Sequence, residues 1–179
     1  MALRPQITHI GLHTADIAAM ERFYTGVIGL VVTDRGKVAR LGNADIVFLS
    51  ANPANHHQVV LISWQEPKRP SVVNQMSFKV DTLADLKEMR ARINLAAVGP
   101  ITPIDHGNAW SIYTSDPDGN GVEIYLDSPW QVAQPHGLPL DLDRSVEDIM
   151  RATEARIRSD PSFEPRERWQ EAFARRLSP

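Results

Sequence analysis

The sequence predicts an α+β fold: two tandem βαβββ modules forming a curved open sheet, followed by a C-terminal helical extension. Three observations lead there. Short stretches of period-two alternation are interrupted by stretches of helical period, and the order strand, helix, strands occurs twice. Aligning ITHIGLHTADI with VNQMSFKVDTL sets His9 against Gln75, a spacing of 66 residues, and an internal repeat of this kind is a strong guide to architecture. The chain has 179 residues, 42% of them hydrophobic, enough to bury a core in one domain with or without an appendage. One module alone would expose a face of its sheet. Two modules together place their helices outside and leave a curved, open sheet between them. The paired domain is expected over residues 5–128, with modules of about 5–64 and 72–128, and residues 129–179 form a linker and two helices.

In the first module, Ile7–Thr14 alternates as a strand, with Ile10 and Leu12 on one face and His9, Gly11 and His13 on the other. Asp16 is placed to cap a helix carrying Ile17, Met20, Phe23, Tyr24 and Val27, which Gly26 and Gly29 end. Strands are expected near Val31–Asp34, Lys37–Leu41 and Ile46–Leu49. After the turn Asn52-Pro53-Ala54-Asn55 another covers His56–Ile62. A polar, proline-containing link, Gln65–Ser71, precedes the second module. Val73–Val80 is then a strand, Asp81 or Thr82 caps a helix with Leu83, Leu86, Met89 and Ile93 on its apolar side, and strands follow near Ala96–Val98, Trp110–Ser115 and Val122–Leu126. From Ser128, prolines and glycine mark an irregular connection. Asp143 or Ser145 caps a helix through about Arg158, and a last helix runs from about Pro165 to Arg176 with Trp169 and Phe173. Amphipathic helices of this size are marginal alone, so they are expected to pack on the domain's outer face or on a second copy and to stay out of the chemistry, with a lid over the cleft as the alternative.

Composition removes several classes of function. A net charge of −3 gives no pull toward nucleic acid or an anionic membrane, and no run approaches membrane-spanning length. The N-terminus lacks an apolar signal core, which makes the cytoplasm the default location. Without cysteine there is no disulfide, no thiolate metal site and no Cys nucleophile. Any metal must be held by His, carboxylate or amide oxygen. A GxSxG elbow, a GK[ST] phosphate loop and a GxGxxG opening a helix are all absent.

The informative stretch is His106–Asp127, HGNAWSIYTSDPDGNGVEIYLD. It reads as strand, tight turn and strand: Pro117 presets φ, the carboxylates of Asp116 and Asp118 cap their own backbone, and Gly119 and Gly121 supply positive φ. Glu123 then stands within an otherwise apolar strand. An unpaired charge is costly to bury, so this carboxylate must be exposed, paired or on a metal.

DPDGNGVEIY resembles the last hairpin of the vicinal oxygen chelate superfamily, which includes glyoxalase I, the fosfomycin and bleomycin resistance proteins and the extradiol dioxygenases. The resemblance covers roughly residues 5–128, and His106-Gly107 ahead of Tyr113 and the turn looks most like the extradiol ring-cleaving branch. It implies paired modules whose sheets form a metal-bearing cleft. It makes Glu123 a metal ligand and gives His9 the first-ligand position, followed by Gly11-Leu12-His13-Thr14-Ala15-Asp16-Ile17. His13 falls outside the ligand position. Gln75 stands where the extradiol pattern carries a second His, so either His9, Gln75 and Glu123 hold the metal or the site has lost it. Of the pair His56-His57 only one can face the cleft; His57 is chosen, as the residue resembling the extradiol acid–base histidine. His106 and Tyr113, the latter 10 residues before Glu123, resemble the groups that hydrogen-bond the bound substrate. Val59 and Val60 occupy the place of a further glyoxalase Glu, which argues against a four-ligand glyoxalase site.

The resemblance therefore implies a metal-dependent extradiol-type dioxygenase. Its partners are a small aromatic, catechol-like substrate and dioxygen, its metal is iron(II) in preference to manganese, nickel or zinc, and a homodimer is one possible assembly. Two alternatives stay open at Gln75: another metal-dependent isomerase, epimerase or lyase of the superfamily, or a metal-free small-molecule binding or resistance protein.

Overall fold

The computed structural model describes residues 5–64 and 73–177; the link Gln65–Ser71 lies outside the described residues. The chain divides into two compact units. The first runs from the N-terminal strand to Asn74 and includes Ser115–Asn120; the second holds Gln75–Thr114 and continues from Gly121 through the last helix.

In the first unit, β1 (Ile10–Thr14) leads to α1 (Ile17–Phe23), whose N-cap Asp16 accepts from Ala19 N at 2.9 Å. A single π-helical turn follows at Tyr24–Ile28 and stops on Gly29 at φ +90°, a left-handed conformation that costs glycine nothing sterically. Three strands come next, β2 (Val31–Val38), β3 (Ala44–Ser50) and β4 (Val59–Ser63). The sheet order is β1-β4-β3-β2, with β1 and β4 parallel. Met20, Phe23, Tyr24, Leu49, Val59 and Leu61 are its core. The two strands expected over Val31–Asp34 and Lys37–Leu41 are one, followed by a 3-10 turn at Ala39–Leu41, because Gly36 pairs with Ile46 across the ladder instead of turning the chain. The turn Ser115–Asn120 is knotted by Asp116. Its carboxylate accepts from the backbone of Asp118 and Asn120 and, at 3.0 Å, from the buried Tyr24 hydroxyl. Burial, then the Asp116 charge, pushes the Tyr24 phenol far above its ordinary range.

The second unit repeats the plan: β5 (Met76–Lys79), α2 (Leu83–Ala96), β6 (Thr102–Asp105), β7 (Ala109–Ser115) and β8 (Gly121–Asp127). Thr82 and Asp85 form a reciprocal capping box at the start of α2. The strand order β5-β8-β7-β6 matches β1-β4-β3-β2 of the first unit, so the sequence repeat is a repeat of topology. The strand expected at Ala96–Val98 does not form. The helix continues through Ala96, Ala97 ends it in the left-handed region at φ +50°, and the chain enters β6 only at Thr102.

From Ser128 the chain belongs to this second unit. A short β9 (Trp130–Gln131) pairs with β11 (Glu164–Pro165), and β10 (Leu138–Pro139) extends the main sheet beyond β6. The helix α3 (Val146–Ile157), capped by Ser145, buries Ile149, Thr153 and Ile157. Its Thr153 hydroxyl accepts from the buried Trp110 indole at 2.8 Å and donates to Asp105 at 2.7 Å, while Arg156 ion-pairs the same carboxylate. The last helix, α4 (Arg166–Leu177), has no buried residue among those described. Trp169 and Phe173, expected to pack on the domain or on a second copy, are 36% and 39% exposed in the single chain and stack on each other with ring centroids 5.3 Å apart. Among the described residues, no helix is long and apolar enough to cross a membrane.

Candidate functional site

The second unit gathers three of the residues singled out in the sequence, Gln75, Tyr113 and His106, around Glu123. Alternation along β8 turns Glu123 away from the buried Val122 and Ile124, and the register sets Ser77 of β5 directly beside it. One carboxylate oxygen, Oε1, accepts from Ser111 and Tyr113 of β7, both at 2.7 Å. The other, Oε2, accepts from Ser77 at 2.5 Å and from Gln75 Nε2 at 2.8 Å. Burial pushes the Glu123 carboxyl up, but the four donors outweigh it and hold the group below its usual range, so the carboxylate is ionised at neutral pH. Every one of those donors is neutral. Among the described residues no Lys, Arg or His comes within ion-pair reach of Glu123.

The network runs on through Tyr113. Its hydroxyl lies 3.0 Å from His106 Nε2, and His106 Nδ1 lies 2.6 Å from the carbonyl oxygen of His136. A carbonyl can only accept, so Nδ1 carries a hydrogen and Nε2 is the nitrogen that faces the Tyr113 oxygen. Burial first, and then the Glu123 carboxylate, pushes the Tyr113 phenol up to about 12. His106 is also held from behind: Gln134 Nε2 donates to its carbonyl at 2.9 Å, and Asp105 accepts from Gly107 N at 2.8 Å. Sequence reasoning missed the supporting groups His136 and Gln134, because a proline-punctuated stretch has no period from which to infer what it touches.

A cavity of about 470 Å³ opens onto Glu123, Tyr113 and His106. Its other side is formed by the C-terminal segment, through Gln131 of β9, Gln134, and Arg166 and Trp169 of α4. Of the two placements expected for this segment, outer face or lid, the cavity-lining position of Arg166 and Trp169 is nearer the second, and the His136 carbonyl accepts from His106.

The first unit brings together His9 and His57. The parallel pairing of β1 with β4 continues one step beyond the strands, where Ile10 N donates to Gln58 O at 3.0 Å. This sets the two imidazoles edge to face with centroids 4.3 Å apart. His56 Nδ1 lies 3.0 Å from His57 Nδ1, and Phe48 flanks both rings. Burial, then the neighbouring His9 and His56, lowers the His57 pKa, leaving it a neutral imidazole able to accept a proton. His13 instead stacks on Trp64 at 4.4 Å. Among the described residues no three His, Asp or Glu side chains are gathered as a metal site. The expected donor set contains only two such residues, His9 and Glu123, with the amide of Gln75 as the third.

Residues 6–124 match the profile of the Glyoxalase/Bleomycin resistance protein/Dioxygenase superfamily. The chain belongs to this superfamily. Within it, the chain is 31% identical over 133 residues to biphenyl-2,3-diol 1,2-dioxygenase 2 of Rhodococcus globerulus, covering 72% of this chain and 66% of that one. Identity to catechol-2,3-dioxygenase of Bacillus subtilis (strain 168) is 38% over 136 residues, covering 69% and 44%. The chain therefore spans just under two thirds of the length of the first and less than half of the second. Among solved structures, a glyoxylase/bleomycin resistance protein/dioxygenase domain from Frankia sp. EAN1pec aligns with a TM-score of 0.59 at 20% identity, over 70% of this chain and all of that one. The fosfomycin resistance protein FosX of Listeria monocytogenes, solved with Mn(II) and sulfate, aligns at 0.56 and 14%, over 70% and 95%. At such identities these two structures speak to the superfamily's fold alone.

Proposed function

We propose that the chain is a metal-dependent, extradiol-type ring-cleaving dioxygenase acting on a catechol-like substrate. The observation that carries this reading is the ionised, buried Glu123, ringed by neutral donors only and continued through Tyr113 to His106. A buried carboxylate without a cationic partner suits a divalent cation. Rotating the Gln75 amide would turn its oxygen, in place of Nε2, toward such an ion. His9, Gln75 and Glu123 are assigned as its donors, with iron(II) favoured over manganese, nickel or zinc. Lewis acidity toward two adjacent substrate oxygens and, with iron(II), electron transfer from the ring to dioxygen are what that ion supplies when bound.

The chain's own residues supply the rest. Tyr113, whose raised pKa keeps its proton in place at neutral pH, can turn its hydroxyl from Glu123 to a substrate oxygen, with His106 Nε2 3.0 Å behind it. His57, a neutral imidazole beside His9, is the base that accepts a catechol proton at a ring nitrogen. The test is anaerobic iron loading of wild type, His9→Ala and Glu123→Ala, followed by oxygen, a simple catechol and absorbance of the yellow ring-opened product. Equal metal stoichiometry in all three proteins would remove the donor set.

A second reading has its own support. Four donors already fill the acceptor sites of Glu123, which also suits a metal-free protein that sequesters a small ligand. Metal analysis of wild type purified without oxygen separates the two. A metal-bound protein that cleaves no catechol would point instead to an isomerase, epimerase or lyase.

A further inference from the structure

The cavity in front of Tyr113 is electrically lopsided. At the Glu123 end lies a carboxylate whose partners are all neutral. At the far end Asp127 is shared between Lys79 Nζ at 2.6 Å and Arg166 at 3.1 Å, two cations against one carboxylate. Of these two cations only Arg166 lines the cavity; the half-exposed Lys79 lies outside the lining and shares the Asp127 carboxylate. Arg166 is firmly placed, its side chain 17% exposed, with Nε donating to Ser128 O at 2.7 Å and Nη2 to Asn108 O. Its Nη1 has no hydrogen-bond acceptor among the described residues. Trp169, one helical turn further along α4, lines the same cavity with its ring backed by Phe173.

The remaining wall at this end is amide-bearing, with Asn108, Gln131 and Gln134. These amides are already bonded within the protein, but a bare second ring, of the kind a biphenyl diol carries, would cover the guanidinium without offering its Nη1 an acceptor. An anion would offer one. Glu123 and Asp127 are four residues apart on one face of β8, about 13 Å of strand, which leaves room for one ring and a short acidic arm.

We infer that Arg166 and Trp169 form a carboxylate-and-ring subsite, so that the cavity takes a single-ring aromatic acid with its carboxylate on Arg166 and its ring against Trp169. Placing the ring hydroxyls at Tyr113 and Glu123 rests on the dioxygenase reading; the subsite itself does not. The experiment measures binding by tryptophan fluorescence under argon, with the full chain, for 3,4-dihydroxyphenylacetate against its methyl ester and for phenylacetate against its methyl ester. Charge-assisted recognition predicts that each acid binds about 10- to 100-fold more tightly than its ester. In Arg166→Gln that ratio should fall to about threefold or less while ester affinity is unchanged, and Arg166→Lys should keep part of it. Should Arg166→Gln fail to fold, the wild-type ratios decide. Wild-type ratios near one for both pairs would overturn the subsite, even if catechols are cleaved. A clear preference for both acids without any ring cleavage would sustain the subsite and sink the dioxygenase reading.

Discussion

Gly107→Ala is the sharpest test of how the C-terminal segment is joined to the site. Gly107 follows His106 and adopts φ +74°, a region that costs an alanine roughly 1–2 kcal/mol. A Cβ built there would stand 2.8 Å from Val132 Cγ1 and 2.9 Å from Ile157 Cγ2. Neither neighbour is the far end of a flexible chain, for Val132 is fully buried and Ile157 is 2% exposed. Overpacking of this kind adds about 1–3 kcal/mol. The two contributions sum to about 2–5 kcal/mol, a fall in Tm of at least about 4 °C for a chain of this size. Urea and thermal unfolding of wild type and Gly107→Ala would measure the loss. Val132→Ala, which removes the closer methyl, should make the double variant more stable than the two single losses predict by simple addition. Stability unchanged within about 0.5 kcal/mol would show that the close approach of Gly107, Val132 and Ile157 is wrong, and with it the support behind His106.

Thr153→Val should cost about 1–3 kcal/mol by leaving the Trp110 indole without its acceptor and Asp105 short of a donor; equilibrium unfolding checks it, and a neutral result would refute the network. Trp169→Ala and Phe173→Ala should each change stability by less than about 1 kcal/mol, because α4 buries neither ring; calorimetry showing a large loss in either would mean the helix is packed after all. Tyr113 has a folded-state pKa raised from 10 to about 12, so native Tyr113 holds its proton where the unfolded chain releases it. The stability it contributes is complete below pH 10 and drains away as pH rises toward 12. Tyr113→Phe should flatten that part of the urea-measured pH profile, and identical alkaline limbs would contradict the assignment. Gln75→His should raise iron(II) affinity, since imidazole is the stronger donor; anaerobic titration showing weaker binding than wild type would argue against Gln75 as a donor.

Most of the fold was legible because its signals are local and repeated. Asp16, Thr82 and Ser145 each cap the helix their spacing suggests, and the alignment of His9 with Gln75 carries over into two sheets of one strand order. The errors fall where a local signal was overridden. Gly36 reads as a break in sequence, yet it pairs with Ile46 inside a continuous strand. Ala96 and Ala97 read as the start of a strand, but alanine also prolongs a helix cheaply, and only the left-handed turn at Ala97 shows where α2 ends.

The site was legible to the extent that it lies on regular strands. Alternation puts Ser111, Tyr113 and Glu123 on one face, and the structure joins them by hydrogen bonds at 2.7 Å. What alternation cannot carry is the contribution of a segment that has no period. His136 acts through its backbone carbonyl, which any residue could provide, so nothing in its side chain announces the role. In sequence Arg166 is one of four arginines spread along the last helix, and only the pairing of β9 with β11 brings it to Asp127 and the cavity. Trp169 reads in sequence as a packing residue, against the domain or a second copy, because large apolar rings usually are buried. Its exposure at the cavity is the more telling fact, because an aromatic face that the fold leaves uncovered beside a guanidinium is a surface on which a ligand can complete the packing. The segment beyond the superfamily match is therefore where this chain's specificity is to be sought: on the proposed function the strands would supply the reacting groups, and the irregular stretch with α4 forms the cavity wall a ligand would meet.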